Sequence, residues 1–343
     1  MKHLKSNDAA PSADRWGIVL SGGNGRRLRD LVYQRRADNL PKQYLNFIGK
    51  RSMLEHTLHR AEQLIPPEQL FIVIAKEHLQ FKDVRRQLAS RPQDCIIIQP
   101  ENKDTGPGIL LPLLHLQKRN PAAVVTVFPS DHFVLEEVLF MQHVERAFRI
   151  VESDPSRIVL LGMEPNEPDP EYGYILTAGI DSPDSDGSRT VEMFVEKPSA
   201  DSANMMMRKG GLWNTLVLVV TCQTLLQAIK RAIPDLYRSF EPIQDAIGTP
   251  DEQLVIERVY QKLSSHNFSK TVLEILSFEN RQNLRVLPVQ GVTWKDWGIS
   301  DRVSKTLRQL GAADCAPPEP ALLERRPLRV SSGRNLAVAR TIR

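Results

Sequence analysis

Between Trp16 and Val289 short, mainly apolar runs alternate with longer segments in which apolar positions recur every three or four residues. The runs are Trp16 to Leu20, Leu70 to Ala75, Cys95 to Gln99, Ala122 to Phe128, Arg157 to Gly162, Leu212 to Thr221 and Leu284 to Val289. Each has the length and β-branched content of a strand covered on both faces. Helical spacing fills the intervals: Ser52 to Leu64, stopped by Pro66-Pro67, then His78 to Leu88, Gly106 to Lys118, Phe133 to Val151, Gln223 to Ile233, Leu236 to Ile247 and Gln253 to Leu263. Pro107 falls near the start of its helix, where a missing N–H costs little. Alternation of this kind predicts an α/β protein of three layers, αβα, around a mostly parallel sheet.

The rhythm breaks once. Tyr172 to Ala178 and Val191 to Lys197 read as two strands joined by the turn-rich segment Asp181 to Gly187, a hairpin insertion that is not another βαβ unit. Beyond Gly311 the composition shifts to Ala316-Pro317-Pro318-Glu319-Pro320 and then six arginines without a lysine. The expected organisation is a flexible segment over 1–15, a single domain over 16–311 and a flexible Arg-rich tail over 312–343.

Composition narrows the function classes. A net charge of +4 spread along 343 residues does not point to nucleic acid. Three cysteines without C-x-x-C spacing indicate neither a disulfide framework nor a zinc site. No signal peptide and no run of about 20 apolar residues is present, so the expected protein is cytoplasmic, with no membrane partner. A homo-oligomer remains open.

The candidate chemistry begins after the first strand, in Ser21-Gly22-Gly23-Asn24-Gly25-Arg26-Arg27-Leu28 followed by Pro41-Lys42-Gln43. Glycines let a backbone turn bring its N–H groups close to an anion, and Arg27 and Lys42 add fixed positive charge. Leu28 stands where the dinucleotide fingerprint needs its third glycine, and Gly25-Arg26-Arg27 lacks the Gly-Lys-Ser/Thr of a P-loop. Ligands of open α/β sheets sit beyond the carboxyl ends of the strands. There the chain also places Gln99-Pro100-Glu101-Asn102-Lys103-Asp104-Thr105-Gly106 and Ser130-Asp131-His132.

Taken in order, the motifs Leu20 to Leu28 with Pro41-Lys42-Gln43, Glu101 to Pro107, Phe128 to His132, Tyr172 to Ile175, Val195 to Pro198 and Trp213-Asn214-Thr215 resemble those of sugar-1-phosphate nucleotidylyltransferases. Mannose-1-phosphate guanylyltransferases are the most similar members, and the resemblance runs from Trp16 to Leu310. It implies a Rossmann-like nucleotide-binding sheet with the hairpin serving the sugar phosphate. The implied reaction is attack of a sugar 1-phosphate on the α-phosphate of a nucleoside triphosphate, with GTP favoured.

By the same resemblance, Arg27 and Lys42 are the catalytic cations, and Leu20, Gly22, Gly23, Asn24, Gly25, Gln99, Glu101, Thr105 and Gly106 hold the nucleotide. Gly173, Glu196, Lys197 and Asn214 hold the sugar phosphate. Asp131 and Asp296, the latter in Trp294-Lys295-Asp296-Trp297-Gly298, would bind Mg2+, which takes one or two carboxylates and leaves its other positions to water and phosphate. Asp131 has a competing reading as the cap of a helix starting near Phe133. Glu101 is a candidate acceptor for the donor edge of guanine. His132 is expected to be structural, because a phosphate nucleophile is already ionised.

Arg26 stands where members commonly carry Thr or Ser, Gly108 where alanine is usual, and the segment between Arg27 and Pro41 is long. No second domain of the kind fused to some guanylyltransferases is expected to follow, and with it no isomerase activity. Two other functions stay open: a catalytically silent relative that binds a nucleotide sugar, and a glycosyltransferase, although Ser130-Asp131-His132 supplies no Asp-x-Asp.

Overall fold

The structure is a computed structural model that describes residues 14–36, 38–179, 184–279 and 283–310. The expected flexible tail, nearly all of the expected N-terminal segment and Asp181 to Pro183 of the hairpin turn lie outside the described residues.

Eleven strands are described: β1 (Arg15–Leu20), β2 (Leu70–Ala75), β3 (Ile96–Gln99), β4 (Val124–Pro129), β5 (Phe133–Val134), β6 (Ile158–Met163), β7 (Tyr174–Thr177), β8 (Arg189–Val195), β9 (Leu212–Thr221), β10 (Leu284–Val289) and β11 (Trp294–Lys295). Nine form one sheet in the order β3-β2-β1-β4-β9-β6-β10-β8-β7, with β9 also touching β7. β2, β4 and β6 are buried at every position, as their unbroken apolar runs require.

The sheet is mixed, which corrects the expectation of a mostly parallel one. β3, β2, β1 and β4 are parallel, and so are β6 and β10. β9 runs antiparallel to β4 and to β6, and β8 antiparallel to β10. A strand covered on both faces is apolar throughout in either direction, so the run Leu212 to Thr221 carried no sign of its orientation. β7 and β8 pair antiparallel, the hairpin expected from the sequence.

Apolar side chains pack on both faces. Leu54, Leu58, Phe140, Val144 and Phe148 lie in one buried cluster, and Ile109, Leu113, Leu225, Phe240 and Phe268 in the other. The helix Met53–Ala61 starts on a capping box in which Ser52 and Glu55 satisfy each other's backbone N–H groups. Among the described residues no helix is long and apolar enough to cross a membrane.

The decisive departure is at Phe133. The expected helix begins only at Glu137, and Phe133–Val134 forms a two-residue ribbon with Trp294–Lys295. Asp131 therefore caps no helix. Lys295 pairs with Phe133, and continuing that antiparallel register sets Asp296 opposite His132.

Candidate active site

The carboxyl ends of β1, β3 and β4, the β7–β8 hairpin and the ribbon enclose a cleft of about 600 Å3. Its first wall is the glycine loop. Gln43 donates its amide to the carbonyls of Ser21 and Gly23 (2.8 Å each), and the Tyr44 hydroxyl donates to Ser21 (3.2 Å). Pro41-Lys42-Gln43 is thus tied under the loop. Gly25 has φ of 60°, and a Cβ there would sit 3.1 Å from the Lys42 nitrogen, so glycine permits both the turn and the close approach.

Lys42 is buried, 7% exposed, yet its ammonium reaches the cleft. It donates to the Trp297 carbonyl (2.9 Å) and lies 2.9 Å from Asp131 Oδ2. Three donors on an ammonium leave one for a ligand. Arg27 is about half exposed and pairs with Glu171 (2.9 Å).

Asp131 and Asp296 border the same space. Burial works against the Asp131 carboxylate, but Lys42 and His132 hold its pKa below the usual range. Asp296 is likewise held down against burial by Arg302 and His132. Its Oδ1 accepts from Tyr172 (3.1 Å), Arg302 (2.5 Å) and the Gly298 N–H (3.2 Å), which fixes the direction of the carboxylate. Burial pushes His132 below its ordinary value against the pull of both aspartates. Its Nδ1 accepts from the Trp294 indole (3.3 Å). His132 itself lines the cleft.

No group of three or more His, Cys, Asp or Glu able to hold a metal occurs among the described residues. Asp131 and Asp296 are two ionised carboxylates on one cleft, oxygen donors of the kind Mg2+ takes beside water and phosphate, and an ion there would compete with the Lys42 ammonium for Asp131.

Gly173, Glu196, Lys197 and Asn214 also line the cleft. Glu196 Oε2 would lie 2.6 Å from a Cβ on Gly173, so that glycine lets the carboxylate into the cleft. Asn214 sits where the β6–β9 register shifts, and its Oδ1 accepts from the Leu216 N–H (3.0 Å). The irregularity turns the strand's side chains toward the cleft. Four described residues other than glycine have positive φ: Asp104 (70°), Lys197 (49°), Leu216 (56°) and Trp297 (35°). The first three line the cleft and the carbonyl of the fourth holds Lys42. Backbone strain of this kind gathers at functional sites.

Burial raises the Glu196 pKa to about 7, helped by Glu274 and Asp104 and opposed by Lys197. Between the ordinary 4.5 and this value the folded chain keeps a proton that the unfolded chain has released, so stability falls as pH rises through that window. Glu196→Gln removes the titration. Its melting temperature should drop less than that of wild type between pH 5 and pH 7.5, by roughly 2–4 °C, the scale of about 1 kcal/mol. Parallel melting curves for the two proteins would place the ionisation elsewhere.

Most of the expected site residues meet in this one cleft, including Leu20, Gly22, Gly23, Asn24, Gln99 and Thr105. Two do not. Glu101 is exposed and paired with Lys103 (3.0 Å), and Gly106 packs its N–H against the His266 carbonyl (2.8 Å). Asn102 and Asp104 are the residues of that loop that face the cleft instead. Glu171, Ser265, Asn267 and Ser269, which no motif of the sequence includes, and Tyr172, which opens one without an assigned role, are also in the lining. Only the polar run Ser264-Ser265-His266-Asn267 between two apolar segments signals Ser265 and Asn267, and nothing in the sequence marks Ser269.

A family profile described as nucleotidyl transferase matches residues 16–303. The chain belongs to that family. It is similar to mannose-1-phosphate guanylyltransferase 2 of Escherichia coli O157:H7, 26% identical over 291 residues that make up 82% of this chain and 57% of that protein. It is also 29% identical to the alginate biosynthesis protein AlgA of Pseudomonas fluorescens, over 64% of this chain and 44% of that one. The chain thus spans about half the length of the curated relatives it matches. Among solved structures, a Thermus thermophilus protein described as a mannose-1-phosphate geranyltransferase superposes with a TM-score of 0.68 at 27% identity, covering 83% of this chain and 76% of that one.

Proposed function

We propose that the cleft transfers a nucleotidyl group from a nucleoside triphosphate, GTP, to a sugar 1-phosphate, mannose 1-phosphate, giving a nucleotide sugar and pyrophosphate. The observation that carries this reading is the convergence of Arg27, Lys42, Lys197, Glu196 and two ionised aspartates in a single cleft. GTP and mannose 1-phosphate are favoured by the relative of E. coli O157:H7 named a mannose-1-phosphate guanylyltransferase.

Transfer at phosphorus needs position and charge neutralisation more than covalent help. Arg27 and Lys42 hold the triphosphate and neutralise the charge that develops on pyrophosphate. Lys197 orients the sugar phosphate, and Glu196 and Asn214 bind sugar hydroxyls. Asp131 and Asp296 would hold Mg2+, which when bound neutralises phosphate charge. The part of the cleft lined by Gln99, Asn102 and Asp104 receives the base.

Pyrophosphate release from each of four nucleoside triphosphates, paired in turn with mannose, glucose and fucose 1-phosphates, tests the assignment. Turnover highest with GTP and mannose 1-phosphate is the expected result. No turnover with any pair would overturn the enzymatic reading in favour of a silent nucleotide-sugar binder.

Lys197→Ala should raise the KM for sugar phosphate about tenfold or more and leave that for the triphosphate nearly unchanged, since one ammonium contact to one substrate is lost. Lys197 is exposed, so the variant folds normally. Collapse of nucleotide affinity would place Lys197 on the other substrate.

A further inference from the structure

Glu171 lies between the two cations assigned to the two substrates. Its Oε2 is 2.9 Å from Arg27 Nη1 and 3.4 Å from Lys197 Nζ, and all three side chains are about half exposed at the mouth of the cleft. Arg27 and Lys197 are 170 positions apart in the chain, so the contact is made by the fold and not by sequence proximity.

The loop bearing Glu171 is tied down from several sides. The Glu171 N–H donates to Asp169 Oδ1 (2.9 Å), the Asp169 N–H to the Tyr174 hydroxyl (2.9 Å), and Arg302 pairs with Asp169 while its guanidinium lies 4.4 Å from the centre of the Tyr172 ring. With the backbone anchored, the Glu171 carboxylate can leave the two cations by rotating its side chain alone.

Resting on the reading of the cleft as a nucleotidyl transfer site, we infer that Glu171 is an internal stand-in for phosphate. It occupies the triphosphate cation and the sugar-phosphate cation together and must be displaced by each substrate. A single-charge carboxylate held at these distances is outcompeted by a phosphate of higher charge, because an exposed ion pair is weak. Singly charged anions gain nothing by displacing it. The carboxylate therefore selects for polyanions, and displacement by either substrate frees the cation meant for the other.

The test is calorimetric titration of the full chain and of its Glu171→Gln variant with magnesium pyrophosphate, repeated with acetate as competitor at fixed ionic strength. Glutamine keeps the shape and removes the charge, and at this exposed position both proteins should melt alike. Glu171→Gln should bind pyrophosphate about three- to tenfold tighter, the scale of one or two exposed ion pairs. Acetate should weaken that binding at lower concentration in the variant than in wild type. In an Arg27→Ala background the gain from Glu171→Gln should shrink, which a merely structural role would not produce. Equal or weaker binding by Glu171→Gln, or equal acetate sensitivity, overturns the inference and leaves the proposed function standing. Absence of pyrophosphate binding by wild type overturns both.

Discussion

Replacing Lys42 by alanine lowers turnover by about two to three orders of magnitude, the scale of removing one preorganised charge from a site where charge develops. Lys42 is buried, donates to Trp297 and pairs with Asp131, so its position is set before any substrate arrives. That preorganisation is what makes it worth more than the half-exposed Arg27, although Arg27→Ala should also cost at least an order of magnitude. The fold makes the two variants differ in another way. Lys42→Ala leaves the Trp297 carbonyl without this donor and Asp131 without its cation, and should cost about 1 kcal/mol of stability. Arg27→Ala should melt like wild type. Steady-state pyrophosphate release and thermal melting read both effects, and a Lys42→Ala enzyme with wild-type turnover would remove Lys42 from the mechanism.

The sequence foretold Lys42 as a cation near the glycine loop, but not what holds it. Trp297 lies 255 positions away. Strand positions are legible where burial on both faces forces a mainly apolar run, as in Leu70–Ala75 and, despite Arg285, Leu284–Val289, whose observed limits match those runs. Strand direction is not, because nothing in an apolar run distinguishes parallel from antiparallel neighbours. The ribbon at Phe133–Val134 was lost because two residues show no period, and their apolar character merged with the helix that follows.

The helix Arg29–Arg36 was hidden for the opposite reason, since its sequence RDLVYQRR offers only a short apolar stretch. The segment Ser269–Leu273 winds as a π-helix, and its wider turn breaks the spacing that marks an ordinary helix. Periodicity is silent on Glu196, Lys197 and Asn214, which the resemblance named and which line the cleft. The resemblance also named Glu101, whose side chain pairs with Lys103 outside the cleft lining, and it did not name Glu171, whose partners are distant in sequence.

Asp131→Asn and Asp296→Asn should each abolish most of the activity, and the double substitution should cost little more. The ribbon is the reason. Lys295 pairs with Phe133, so the residues just beyond each strand, His132 with Asp131 and Asp296, come to the same end of one two-residue ladder. Both carboxylates feel Lys42 and His132, which shows that they share one electrostatic environment despite lying 165 positions apart. Groups that serve one ion act as a unit, and their losses do not add. Asn keeps an oxygen for Tyr172, Arg302 and the Gly298 N–H at position 296, so Asp296→Asn should fold, and its melting curve checks this. What it loses is charge toward a divalent cation. Magnesium titration should therefore show activity that recovers partly at high magnesium in each single variant, with the half-saturating concentration raised about tenfold or more. Losses that simply multiply in the double variant, or an Asp296→Asn protein with wild-type magnesium dependence, would mean that Asp296 serves only to anchor Arg302 and Tyr172 and that the ion rests on Asp131 alone.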